Sequence, residues 1–236
     1  HFVSFLQNHD QVSHSLRGLR LHQRTSPGRW RALTALLLLS PQIPLLFQGQ
    51  EFAASAPFLY FADHAAELAP LVEAGRRNYM RQFPSIAKTE TLELLASPGD
   101  AATFHRCQLD LTERERHDAA VRLHRDLLRL RREEPAITAP ARLDGAVLGE
   151  RAFVLRFFAA DGRDRILLVN LGWELALAPV PEPLFAPIDG HGWRTQWSSE
   201  LPEYGGGGLA PVETKGAWLI PGEAAVLLAP DDNQER

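Results

Sequence analysis

The order of apolar and polar positions divides the chain into two textures. In the first, Phe2, Val3, Phe5 and Leu6 form a short apolar run that stops at Gln7-Asn8-His9-Asp10. An unbroken run of this kind predicts a buried strand, His1–Leu6, that ends in a polar loop. A loop with Gly18, Ser26, Pro27 and Gly28 follows, and Ser26-Pro27 is a start signal for a helix over Trp30–Leu39. Apolar residues lie nearly all round that helix, which implies burial, and Pro41 stops it. Pro44–Phe47 then reads as a second buried strand, ending at Gln48-Gly49-Gln50-Glu51. Strand, helix and strand in this order predict a parallel α/β unit.

Leu68–Phe83 has helical spacing, whereas Ser85–Asp100 predicts little regular structure. The clearest helix is Glu113–Arg132, where Ala120, Leu123, Leu127 and Leu130 recur on one face. Arg122, Arg125, Arg129 and Arg132 fall on another; without a glycine-rich loop or interleaved aromatics they read as a solvated face, not a phosphate site. After Pro135 the second texture begins. Short β-like runs at Phe153–Phe158, Ile166–Val169, Trp193–Trp197, Trp218–Ile220 and Ala224–Leu228 are separated by turns such as Asp161-Gly162 and Asp189-Gly190. That spacing predicts an all-β sandwich or barrel. The expected boundary lies near Glu134–Pro140, giving domains 1–134 and 140–230.

Composition narrows the function. The 236 residues are 45% hydrophobic, enough for a core, and carry a net charge of -4, which favours neither nucleic acid nor an anionic membrane. A lone cysteine, Cys107, excludes an intrachain disulfide and fits a cytoplasmic setting. The apolar run at Ala35–Leu39 is too short to span a bilayer. The nine histidines show no metal-ligand spacing, and Gly205–Gly208 lacks a following Lys-Ser/Thr; no metal and no cofactor are expected. Trp173, Trp193, Trp197 and Trp218 are read as core rather than as sugar-stacking residues. The start, without an initiator methionine or a basic leader, reads as the middle of a longer polypeptide.

In parallel α/β folds, reactive groups gather at the C-terminal ends of strands. One such end carries Asn8-His9-Asp10-Gln11, the other Gln48 and Glu51. Amide, imidazole and carboxylate suit sugar hydroxyls, and a carboxylate stabilises the oxocarbenium-like state of glycoside cleavage. Taken alone, Asn-His-Asp is a weak signal, since a lone His-Asp pair is more often a structural hydrogen bond.

The surrounding residues add a resemblance. Phe5-Leu6-Gln7-Asn8-His9-Asp10 resembles the fourth conserved segment of the α-amylase superfamily, glycoside hydrolase family 13, and Leu36–Phe52 resembles its helix seven, strand eight and following loop. Glu51–His64, Leu123–Arg131, Leu167–Leu171, Trp197–Glu200 and Tyr204–Gly208 resemble more narrowly the maltooligosyltrehalose trehalohydrolases. The resemblance covers essentially the whole chain. It implies the C-terminal part of a (β/α)8 TIM barrel, strands seven and eight with their helices, followed by an all-β sandwich domain. It implies that Asp10 is the third catalytic carboxylate and that His9 hydrogen-bonds the sugar. Asn8, Gln11 and Glu51 are implied as further substrate-binding residues.

Three positions depart from the family pattern: Val12-Ser13-His14-Ser15 replaces Gly-Asn, Gly49-Gln50-Glu51 replaces Gly-Glu-Glu, and Ala62 replaces Thr. No strand-end motif matches the nucleophile and general acid, which retaining glycosidases hold about 5–5.5 Å apart; Asp118-Ala119 opens a surface helix and is rejected. Both are expected upstream, from a missing N-terminal barrel half, so the chain alone should be inactive. The implied reaction is hydrolysis of the α-1,4 bond beside the terminal trehalose of maltooligosyl trehalose or a related α-glucan. The alternatives are a branching or debranching enzyme of the superfamily, or a non-catalytic carbohydrate-binding or structural piece.

Overall fold

A computed structural model describes residues 2–179, 182–187, 192–214 and 217–231. His1 and the expected turn at Asp189-Gly190 lie outside the described residues. Proximity of backbone segments separates two compact units. The described residues of His1–Ser4, Ser26–Pro44 and Asp118–Arg236 form one; Phe5–Thr25 and Leu45–His117 form the other.

In the first unit, β1 (Val3–Ser4) pairs in parallel with β2 (Ile43–Pro44), with Val3 opposite Ile43 and Ser4 opposite Pro44. The helix Pro27–Leu39 connects them, so the expected strand–helix–strand order is present. Two expectations are corrected. The strands are two residues long and shifted, not His1–Leu6 and Pro44–Phe47. They are also not buried: Phe2 is 85% and Val3 54% exposed, and Ile43 is exposed too. The physical reason is local. The two strands form a sheet by themselves and no further described strand pairs with either, so their side chains have no neighbouring strands to pack beside.

The connecting helix starts earlier than its apolar pattern, because Ser26 caps it: its Oγ accepts from Arg29 N at 3.4 Å, and Pro27 supplies a first-turn φ without a wasted donor. Trp30, Ala32, Ala35 and Leu37–Leu39 are buried, and the helix packs on strands of the sheet described below. Its C-terminal carbonyls have no helical partners. Arg131, on the helix Asp118–Glu133, donates to Leu38 O at 2.8 Å, Ser40 O at 2.5 Å and Gln42 O at 2.7 Å. The arginines on the opposite face of that helix are exposed and pair along it, Arg122 with Asp118 at 2.5 Å and Arg129 with Asp126 at 3.2 Å. The predicted Glu113–Arg132 helix is in fact interrupted at His117, whose backbone (φ -105, ψ 35) leaves the helical region.

The β region holds a five-stranded antiparallel sheet. Its strands are β3 (Arg142–Gly149), β4 (Ala152–Phe158), β5 (Arg165–Asn170), β7 (Trp193–Ser198) and β9 (Ala224–Pro230), in the order β3-β4-β5-β9-β7. A second, two-stranded sheet pairs β6 (Leu175–Leu177) with β8 (Trp218–Ile220). Val154, Ile166, Leu168, Val226 and Leu228 on one sheet meet Trp218 and Ile220 from the other, with Phe185 and Trp193 filling the layer. Each such Leu, Ile or Val contributes roughly 1.5–3 kcal/mol over the exposed state. The alternate residues Leu167, Val169, Ala225 and Leu227 are buried as well, so β5 and β9 are covered on both faces. Hence the near-continuous apolar run that marks a doubly covered strand occurs here in an antiparallel sheet. The five strands expected from sequence lie within a residue or two of those observed. β3, an exposed edge strand with Val147 at its surface, and the three-residue β6 were not anticipated.

In the second unit, helices Ala69–Met80, Thr89–Leu92, Ala101–Cys107 and Glu113–Arg116 surround a core that includes Phe52, Leu59, Met80, Ile86, Leu92 and Cys107. Ser85–Asp100 contains only the single turn Thr89–Leu92, in line with its weak pattern. Among the described residues, no helix is long and apolar enough to cross a membrane.

Candidate functional site

All five expected site residues fall in the second unit. Asn8 is extended (φ -136, ψ -177) and caps the five-residue helix His9–Ser13. Its Oδ1 accepts from Asp10 N at 2.9 Å and Gln11 N at 3.2 Å, while Gln11 Oε1 accepts from Asn8 N at 2.8 Å. This reciprocal arrangement satisfies donors that a helix start leaves unpaired. It commits those oxygens of Asn8 and Gln11 to shaping the turn that carries His9 and Asp10.

The Asp10 side chain is 59% exposed, with Oδ1 3.3 Å from His9 Nε2 and 3.8 Å from His14 Nε2. His14 packs on Tyr79, ring centroids 4.9 Å apart, and beside Phe83. Burial, then the Arg76 charge, lowers the His14 pKa against the opposing pull of Asp10, so its imidazole is neutral at pH 7. Arg76 lies 5.0 Å over the Tyr60 ring and donates to Ser13 O at 2.5 Å. Asp10, His14, Tyr60, Arg76 and Tyr79 line one open cleft. Such a cleft offers a carboxylate, a neutral imidazole, phenol hydroxyls and a guanidinium: hydrogen-bonding groups suited to a polyol, and one negative charge for a developing cation.

Glu51 is not part of that cleft lining. It follows Gly49, whose left-handed φ of 80 and close packing, with an added Cβ falling 2.8 Å from Ala54 Cβ, require glycine. Glu51 Oε1 lies 3.6 Å from Arg114 Nη2. The two polar loops are tied through the residues next to Asn8 and Glu51: buried Gln7 donates from Nε2 to Gln50 Oε1 at 3.5 Å and accepts from Leu21 N at 2.8 Å. Arg20, fully buried, donates to Ala56 O at 2.7 Å and Gln48 O at 2.6 Å. Glu113 accepts from Ser55 N at 2.9 Å and from Ser55 Oγ, which holds its carboxyl below the usual range. Arg20, Tyr60, Arg76 and Tyr79 escaped the sequence reading as site residues. Arg20 sits in a loop without periodicity, and Arg76 and Tyr79 look like ordinary polar positions of a helix. Among the described residues, no group of three or more His, Cys, Asp or Glu could hold a metal ion.

This supporting layer carries a pH signature. Burial, followed by the charges of Arg20 and His117, lowers the His22 pKa from 6.5 to about 4, with Glu113 opposing. The unfolded chain therefore takes up a proton that the folded chain refuses. His22 contributes its stabilisation fully above the unfolded value and loses it as pH falls from 6.5 toward 4. Thermal melts across that window should show a falling midpoint, and His22→Gln should flatten the fall. An identical slope in the variant would count against this account.

Residues 140–227 match a family model described as a domain of unknown function, DUF3459. A malto-oligosyltrehalose trehalohydrolase of Deinococcus radiodurans is 40% identical over 190 residues, which are 79% of this chain and 31% of that protein. One from Mycobacterium tuberculosis is 33% identical over 214 residues, 86% of this chain and 34% of the relative. The chain thus spans about a third of the length of the curated relatives it matches. A solved Salmonella typhimurium protein described as an alpha amylase superposes with a TM-score of 0.71 at 27% identity, covering 97% of this chain and 35% of that one. An isomaltulose synthase from a Klebsiella species gives 0.57 at 14% identity over 97% of this chain and 43% of its own, a likeness of fold alone.

Proposed function

The chain belongs with the malto-oligosyltrehalose trehalohydrolases of the α-amylase family, and on that premise we propose that it is the C-terminal part of a glycoside hydrolase that releases trehalose from maltooligosyl trehalose. The observation that carries the reading is the accessible Asp10 carboxylate, presented on a capped turn beside two imidazoles. In this reading β1 and β2 are strands seven and eight of a (β/α)8 barrel, and the domains divide as 1–134 and 140–230. An upstream segment supplies the nucleophile and general acid, and the enzyme is cytoplasmic and uses no cofactor.

The mechanism follows from charge. The upstream carboxylate attacks the anomeric carbon as the upstream acid protonates the leaving oxygen; water then releases the glycosyl group, with net retention. Asp10 faces the ring as positive charge builds on it and stabilises that state. His9 and Arg76 donate to hydroxyls, and neutral His14 donates or accepts without cancelling the Asp10 charge. Glu51, paired with Arg114, serves the outer part of the glucan site.

Product analysis with the intact enzyme tests this. Incubation with maltooligosyl trehalose should release free trehalose and a maltooligosaccharide whose new reducing end keeps the α configuration. A new α-1,6 linkage would identify a branching enzyme, and linear glucan released from a branched glucan offered in parallel a debranching enzyme. The 236 residues expressed by themselves should show no turnover. Turnover abolished by an Asp10 change would mean that the nucleophile and acid lie within this chain.

A further inference from the structure

Three of the four tryptophans read as core in the β region follow that reading: Trp193, Trp197 and Trp218 are buried. Trp173 does not; it is 92% exposed, on the loop between β5 and β6. A large aromatic fully in water costs solvation unless something covers it. Its backbone, by contrast, is firmly held. Asn170 accepts from Gly172 N at 2.9 Å and donates to Trp173 O at 2.7 Å. Glu223 N donates to Gly172 O at 2.8 Å, and Leu171 N to Arg151 O at 2.8 Å. Beneath it, Arg29 donates to Leu171 O at 3.1 Å and to Glu223 Oε1 at 2.6 Å. Gly222 packs so closely that an added Cβ would lie 2.8 Å from Glu174 N. A mobile loop would leave these groups to water; this one is built to hold its indole out.

Beside the indole lies an open cleft lined by Glu150, Arg151, Asn170, Trp173, Glu174 and Leu175, among others. Its volume of about 340 Å³ is at the small end of the roughly 300–1,000 Å³ of small-ligand sites. The combination is a flat apolar platform edged by two exposed carboxylates and a guanidinium. A pyranose has the matching chemistry: an apolar C–H face that stacks on an aromatic ring, and equatorial hydroxyls that pair with carboxylates and guanidinium groups at the edge. Carboxylates of this number disfavour an anionic ligand, and the adjoining polar rim disfavours a purely apolar one.

We propose that Trp173, with Glu150, Arg151 and Glu174, forms a second α-glucan-binding site on the β-domain, separate from the Asp10 cleft, that holds one or two glucose units of a long chain. The proposal rests on the α-glucan reading above for its ligand. Such a site adds avidity for polymeric glucan without altering chemistry on a short substrate, because a tethered chain presents its free end at a raised effective concentration.

The experiment uses the intact enzyme, with Trp173→Ala and Trp173→Phe. Mobility is measured in native gels containing amylopectin, maltoheptaose is titrated calorimetrically, and turnover of a short maltooligosyl trehalose is followed in the same preparations. The wild type should be retarded by amylopectin, Trp173→Ala should lose at least fivefold in apparent affinity, and Trp173→Phe should retain most of it. Values of kcat and KM on the short substrate should stay within twofold of wild type. Equal retardation of wild type and Trp173→Ala overturns the proposal, as does a wild type that amylopectin does not retard. Loss of retardation together with turnover overturns it too, by tying Trp173 to folding or to the catalytic cleft. If acrylamide quenches wild type and Trp173→Ala alike, the indole is covered by other polypeptide and the site does not exist. Retardation that depends on Trp173 in an enzyme that releases no trehalose would instead sink the trehalohydrolase reading and leave the binding site standing.

Discussion

Replacing Asp10 by Asn in the intact enzyme is expected to lower kcat by roughly 10²–10³-fold while KM changes little. Asparagine keeps the size and most hydrogen bonds of aspartate but removes the charge. A neutral ground-state sugar barely senses that charge, whereas the oxocarbenium-like state does, so the loss should fall on the chemical step. The surroundings of Asp10 favour this outcome. No arginine or lysine forms an ion pair with its carboxylate among the described residues; its near neighbours are the imidazoles of His9 and His14, and burial keeps His14 on the neutral side. Among the described residues no direct ion pair with an arginine or lysine neutralises that charge; Arg76, in the same cleft, acts on it through space. Unchanged kcat with weaker substrate binding would reduce Asp10 to a binding residue. Parallel circular dichroism would check that the turn survives, as it should, since its cap is made by Asn8 and Gln11.

The second large effect concerns stability, and it sits in the β region. Arg156 and Asp164 have side chains 8% and 5% exposed, with Nε 2.9 Å from Oδ2. Arg156 also donates to Leu184 O at 3.1 Å and Ala186 O at 2.7 Å, and Asp164 Oδ1 accepts from Ala159 N at 3.0 Å. Asp164→Ala would leave a buried guanidinium without its counter-charge and an amide without its acceptor. The expected cost is about 3–5 kcal/mol, a large share of the roughly 5–15 kcal/mol that holds a typical protein folded. Denaturant unfolding monitored by the buried tryptophans should show a lower midpoint at unchanged slope. Replacing both partners by apolar residues of similar volume should cost much less, because the penalty comes from the stranded charge rather than from the lost attraction. A single variant within 1 kcal/mol of wild type would refute that view (about a factor of five in the folding equilibrium).

The strands of the β region were legible because Ile166–Val169 and Ala224–Leu228 are apolar throughout and bounded by turn residues, and the structure covers both their faces. β3 was not, because Arg142, Asp144 and Gly145 break its pattern; an edge strand satisfies one face and one ladder, and polar residues there protect a free edge. The lengths of β1 and β2 were misjudged because an apolar run records what a residue is suited to bury against, not how far its ladder extends. At the site, the motif Asn8-His9-Asp10-Gln11 announced itself, but its internal division did not. That Asn8 and Gln11 lock each other, leaving Asp10 outward, depends on backbone angles that no composition shows. Arg76 and Tyr79 reach the Asp10 cleft from a helix more than sixty residues away in the chain, a separation over which local pattern carries no information.

The clamp at the end of the Pro27–Leu39 helix sets an order of events during synthesis. Its carbonyl acceptor Leu38 and its donor Arg131 are 93 positions apart. At about 5–20 residues per second, the ribosome needs on the order of 5–20 s to cover that distance. Throughout that interval the helix end and the turn into β2 have only water to satisfy their carbonyls, and the apolar face of the helix lacks the strands that will cover it. The helix is thus made well before the residue that secures its end, and until Arg131 is synthesised that end stays unclamped.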